Sequence, residues 1–280
     1  MTVIYTHINP DLDALASVWT IKTFAKGYER AEVKFRSNDW DGAGMEEGDM
    51  AVDMDAGGKG IKGDSAEGLT HSCFATLVSK YVPKNDMGAI FNLVAFIDAQ
   101  DTYGSAVKHF LPGLASEIQN ILSFSGINAV FRAIQSMNHR KDYKVMNSML
   151  EIFSGMLKAG RARQRAVVDA ENAEISSCGN VAIISPKEYG TNAVLFDEKG
   201  VRVIIYVDGF NLGIIRKDTE TLSMSDHRIV EFVNSYDNIE EWFAHPSGFL
   251  FCRGSRKSPA NSLSKVYPQK LMELICKILK

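Results

Sequence analysis

A short β-branched run over residues 2–6 ends at His7 and gives way at once to a proline-stiffened polar loop and a helical pattern. Over residues 13–26, Leu15, Val18, Trp19 and Ile21 are spaced for one buried helix face. Further strands are expected at residues 32–36 and 50–54, and helices at residues 70–81 and 89–100. Strand, helix and strand in this order call for crossover connections rather than tight hairpins, and such crossovers build parallel sheets. The expected fold class is α/β: a mostly parallel N-terminal sheet domain, a helical connector and a smaller C-terminal α+β domain.

Strand signals stop between residues 113 and 174, and residues 142–173 lack proline and are rich in helix formers, which predicts one long connecting helix. Short β-branched runs return at residues 181–185, 193–196, 201–207 and 210–216, with Asp208-Gly209 as a two-residue hairpin signal. A last helix is expected at residues 268–279. The expected boundaries are 1–140, 141–175 and 176–280, with the site in a cleft between the lobes.

The chain has 280 residues, 45% hydrophobic and 23% charged, the balance of a globular protein. A net charge of -3 excludes a globally basic nucleic-acid binder but leaves room for a local phosphate-binding patch. Cys73, Cys178, Cys252 and Cys276 are scattered, with no C-x-x-C pair, which argues against a structural zinc site and a disulfide framework and for a reducing compartment. No signal peptide and no run of about 18 apolar residues is visible, so the expected location is cytoplasmic, away from membranes.

Three acidic clusters stand near the ends of predicted elements. The first is His7-Ile8-Asn9-Pro10-Asp11-Leu12-Asp13, where two carboxylates and an imidazole can converge on a divalent cation; Asp11 and Asp13 can equally cap the helix that follows. The second is Asp53-Met54-Asp55 after a predicted strand, either a cation-bridging carboxylate or an acidic turn. The third is Asp98 to Asp101, two acids on one helix face or a solvated helix end.

Together these islands resemble the DHH phosphoesterase superfamily, whose first motif is similar to His7-x-Asn9-Pro10-Asp11-x-Asp13-Ala14. The resemblance implies a metal set of His7, Asp11, Asp13, Asp53 and Asp98, with catalytic roles for Asp13, Asp53 and His71. Asp55 competes with Asp53, and Asp101 neighbours Asp98. It also implies two manganese or magnesium ions, or one, acting on a bridging water. The chain departs from the family at the Asp-His-His triplet: the corresponding region reads Lys59-Gly60-Ile61-Lys62-Gly63-Asp64, and the nearby His71 is displaced. His71 is either the missing imidazole or a residue at a helix start.

In the C-terminal stretch from His245 to Ser258, glycines allow close backbone approach to an anion, and arginine and lysine side chains complete a phosphate clamp. A basic surface hairpin is the plainer reading. His245-Pro246-Ser247-Gly248-Phe249 is similar to a signature of the melanocyte-proliferating-gene branch, linked to exonuclease activity. Ser255-Arg256-Lys257 is similar to family II inorganic pyrophosphatases. By that resemblance His245, Gly248, Arg253, Arg256 and Lys257 bind substrate.

The expected function is hydrolysis of a phosphodiester or related phosphate compound, such as a short oligonucleotide or nucleotide. Two alternatives stay open: a degenerate phosphate- or nucleotide-binding module, and a pyrophosphatase-like hydrolase. The expected partners are a phosphorylated small molecule or short nucleic acid and, as one option, a second copy in a homodimer. A basic stripe of Lys158, Arg161, Arg163 and Arg165 offers a further, RNA-binding reading, against a solvated helix face.

Overall fold

The computed structural model describes residues 2–63, 65–66, 69–188, 190–255 and 257–279, without the side chains of residues 65, 66, 69, 70, 123 and 124. The protein is mixed α/β, with two compact units, residues 1–161 and 162–280.

The first unit begins with β1 (Val3–His7), α1 (Leu12–Phe24), β2 (Glu32–Arg36) and β3 (Met50–Ala51). β1 pairs in parallel with both β2 and β3, giving the order β2-β1-β3 and leaving His7 at the carboxyl end of the middle strand. A two-stranded ribbon follows, β4 (Ser65–Ala66) and β5 (Leu69–Thr70), then α2 (Cys73–Tyr81) and α3 (Lys84–Tyr103). Helices α4 (Ala106–Phe110), α5 (Ser116–Ser125), α6 (Ile127–Met137) and the 29-residue α7 (Asp142–Ala170) come next. Residues 12–21 of α1 are buried all round, the pattern of a core helix rather than a surface one. Trp19 anchors that core, packed against Phe74 and Phe153, and its indole N–H donates to Ser154 Oγ at 3.1 Å.

The second unit contains β6 (Glu174–Ile175), β7 (Val181–Ile184), α8 (Thr191–Asp197), β8 (Val203–Asp208) and β9 (Asn211–Arg216). It closes with α9 (His227–Asn234), β10 (Phe243–Ala244), β11 (Leu250–Arg253) and α10 (Pro268–Ile278). The sheet runs β10-β11-β9-β8-β7-β6, with a parallel pair, β7-β8, joined through α8. β8 and β9 form the hairpin expected at Asp208-Gly209, with Asp208 opposite Asn211.

Several elements differ from the sequence expectation. The run 193–196 is helical, because a short apolar run carries too little periodicity to separate strand from helix, and here it supplies the β7-β8 crossover. β3 stops at Ala51 because Asp53 turns to φ 55, which ends the pleat. The cysteine expectation also needs correction. Cys178 and Cys276 form a disulfide with Cα atoms 6.1 Å apart, although they are 98 positions apart in sequence. Burial of α10 residues Leu271 and Ile275 with Val181 of β7 brings them together, which spacing along the chain cannot reveal. The arginine stripe is neutralised: Arg161 pairs with Asp86 at 2.7 Å, Arg163 with Glu198 at 2.7 Å and Arg165 with Glu188 at 2.8 Å. No described helix is long and apolar enough to cross a membrane.

Candidate metal centre

His7, Asp11 and Asp53 each present a donor atom within 4.8 Å of the others. They come from the end of β1, the loop before α1 and the turn after β3, so the parallel β1-β3 pairing brings them together. His7 Nδ1 donates to the Ile8 carbonyl at 3.0 Å. That bond turns Nε2 toward Asp53 Oδ2 at 3.2 Å and Asp11 Oδ2 at 4.0 Å. In a neutral ring held this way the Nε2 lone pair faces the acids, the tautomer a cation needs. Burial pulls the His7 pKa down, but the Asp53 hydrogen bond, the Ile8 carbonyl and the charges of Asp11 and Asp53 outweigh it and carry it up to about 9.

The loop is braced from both sides. Asn9, itself at φ 51, donates its N–H to Asp142 Oδ2 at 3.1 Å, and its Oδ1 accepts from Gln135 Nε2 at 3.1 Å. Asp11 caps α1 by accepting from the Ala14 N–H at 2.9 Å while its side chain stays more than half exposed. Asp53 holds its strained left-handed conformation with its N–H on the Ile61 carbonyl at 2.8 Å, beside the Cys73 thiol at 3.2 Å. Backbone strain of this kind persists only where surrounding contacts fix it.

The start of α2 gathers two more acids. Asp13, 2% exposed, accepts from the Cys73 and Phe74 N–H groups at 3.0 and 2.9 Å. Asp98 accepts from the Ser72 N–H at 2.7 Å and faces His71 Nδ1 at 3.1 Å. The positive end of a helix favours anions at these positions, and each carboxylate keeps further lone pairs for a cation. Asp98 orients His71 so that its Nε2 points away from the pair, in the manner of a carboxylate-oriented metal histidine.

The acids repel one another. Burial raises the Asp13 pKa well above the usual carboxylate range, and the Asp53, Asp101 and Asp11 charges add to the rise, against the Phe74 N–H. Asp53 is raised chiefly by burial, with Asp11 adding to it and His7 opposing. Asp101 rises to about 6, through desolvation and then the charges of Asp11, Asp53 and Asp98. Five aspartates therefore share one electrostatic field, which a divalent cation would relieve. The donor set, one imidazole with carboxylate oxygens, could hold a divalent cation.

Asp55 lies outside this group: it is exposed, and its Oδ2 caps the following turn by accepting from the Gly58 N–H at 3.1 Å. Beside the acids, a cavity of about 220 Å3 is lined by Asp11, Asp13 and Asp101 on one side and by Asn128, Arg132 and Gln135 of α6 on the other. These α6 residues escape motif reading; their signal is a polar stripe at spacings of four and three on a helix whose other face is apolar.

The C-terminal clamp residues are spread out. His245 and Gly248 precede β11, Arg253 ends it and Lys257 follows, so the two groups are separated by a four-residue strand of roughly 13 Å. His245 Nδ1 faces Ser247 Oγ at 2.8 Å on the exposed hairpin. Gly248 sits at φ 66 against Ser223, where a Cβ would overlap the serine hydroxyl. Arg253 departs from the clamp reading: it is 6% exposed and its guanidinium is bound to Glu241, the Ser262 carbonyl and Ser262 Oγ. Lys257 is exposed, and Arg256 lies outside the described residues. Ser255 lines a separate cavity of about 440 Å3 with Tyr206, Asp208 and Asn211.

No family model and no curated protein matches the chain. Among solved structures, an uncharacterized protein from Helicobacter pylori G27 aligns over 99% of each chain at 10% identity, with a TM-score of 0.26, too low to carry an argument.

Proposed function

We propose that this protein is a divalent-cation-dependent phosphoesterase of the DHH kind, acting on a phosphodiester or related phosphate compound such as a short oligonucleotide or nucleotide. The observation that carries the reading is the convergence of His7 and Asp11 of the loop after β1 with Asp53 of the turn after β3, all within 4.8 Å. His7, Asp11 and Asp53 would hold manganese or magnesium, with Asp13 in the same electrostatic field. When bound, such a cation supplies Lewis-acid polarisation of phosphoryl oxygens and activation of water.

The chain's own residues do the rest. Ile8 and Asp53 fix the His7 ring, Asn9 and Gln135 brace the loop, and the α2 amides hold Asp13 and Asp98 in place. His71, held by Asp98 at 3.1 Å, would be the candidate to move a proton. The missing Asp-His-His triplet favours one second reading, a module that binds phosphate or nucleotide without cleaving it.

The test is product release from short oligonucleotides, bis(p-nitrophenyl) phosphate and pyrophosphate with manganese, with and without chelator. Chelator-sensitive turnover that falls about 100-fold or more in Asp53→Asn supports the reading. Asp53 is the better target than Asp13, because removing the Asp13 charge also uncaps α2. Turnover unchanged in Asp53→Asn refutes the site; manganese binding without any turnover points to the binding module.

A further inference from the structure

The cavity beside the acids has two chemically opposed walls. Three carboxylates, Asp11, Asp13 and Asp101, face a helix wall carrying Asn128 and Arg132. Arg132 is exposed and makes no hydrogen bond or ion pair with any described residue. An exposed arginine gains little from a surface ion pair, so its charge stays available to a ligand that enters the cavity. Here Arg132 lines the same cavity as the acids without pairing with any of them.

α6 has reason to be rigid at this point. Phe131 is buried in the core of the unit, and Gln135, one turn beyond Arg132, is tied to Asn9 of the acidic loop. The helix wall and the acidic loop are therefore coupled mechanically while their charges stay apart. Between them lies a space of about 220 Å3, below the roughly 300–1,000 Å3 of sites that enclose a whole drug-sized ligand. It suits one anionic group better than an entire substrate.

We infer that Arg132, flanked by Asn128, anchors the phosphoryl group of the substrate from within the N-terminal unit, opposite the acidic wall. This rests on the reading of the acids as a cation site, because without a cation the same acids repel a phosphate. A planar guanidinium takes two phosphoryl oxygens at once, whereas a lysine offers a point charge and loses that geometry. Arg132 is thus a specificity-determining residue, selecting substrates that present an unblocked phosphoryl edge at this wall.

The experiment titrates manganese, and then inorganic phosphate into the manganese-loaded protein, by calorimetry at fixed ionic strength, with wild type, Arg132→Ala, Arg132→Lys and Asp53→Asn. The expected result is that Arg132→Ala binds manganese within about twofold of wild type but weakens phosphate binding about tenfold or more, with Arg132→Lys between the two. Asp53→Asn should weaken manganese itself. Equal phosphate affinity in wild type and Arg132→Ala, or no phosphate binding to manganese-loaded wild type, overturns the inference and leaves the cation site standing. Failure of wild type to bind manganese removes the cation site, and the inference with it.

Discussion

At the scale of single residues, the site is a cluster of acids that raise one another's pKa. Asp101 in the folded protein binds its proton up to about pH 6, against a usual value of 3.8. A raised carboxylate contributes stability that is full below the unfolded value and is lost as pH rises through the folded one. His7, raised from 6.5 to about 9, contributes stability that is full below pH 6.5 and lost as pH rises through about 9. Thermal melts in chelator should therefore fall in two windows. Asp101→Asn should reduce the lower one, to which the raised Asp13 and Asp53 also contribute, with a gain below about 1 kcal/mol because the residue is exposed and screened, and His7→Gln should reduce the upper one. Manganese should suppress both, and a wild-type profile in either variant would refute its assignment.

The elements show why part of this was legible and part was not. The loop from His7 to Asp13 carries its own signal: the residues are local, and a strand end followed by a helix start fixes where they lie. The long α7 was readable for the same reason, since composition and the lack of proline are local properties. By contrast, the pairing of His71 with Asp98 is made by α2 meeting α3, and nothing in either segment names the other. Arg253 read as a phosphate ligand because glycine and arginine look alike in clamps and in packed hairpins; its engagement by Glu241 depends on tertiary contact. One close approach between elements is directly testable. Gly160 of α7 lies against the Ala89 backbone of α3, whereas Gly155 has open space around it. Gly160→Ala should cost about 1–3 kcal/mol by overpacking, and Gly155→Ala should add roughly 0.5–1 kcal/mol through helix propensity. Denaturant unfolding reads both, and a stabilising Gly160→Ala would refute the contact.

Across the whole molecule, the second unit is stapled and the first is not. The Cys178–Cys276 bridge closes a loop from the turn before β7 to the last helix, and a loop of that size restricts the unfolded chain strongly. Cys178→Ser is expected to lower the stability of residues 162–280 by about 3–5 kcal/mol, followed as denaturant unfolding with and without reductant. No effect of either would show that the bridge is absent in solution. The same ring has a consequence for the chain as a covalent object. A protease nick at any one peptide bond between residues 178 and 276 leaves the two pieces joined through sulfur. Such a cut protein migrates as a single species on a denaturing gel until reductant is added, and only then divides into two bands.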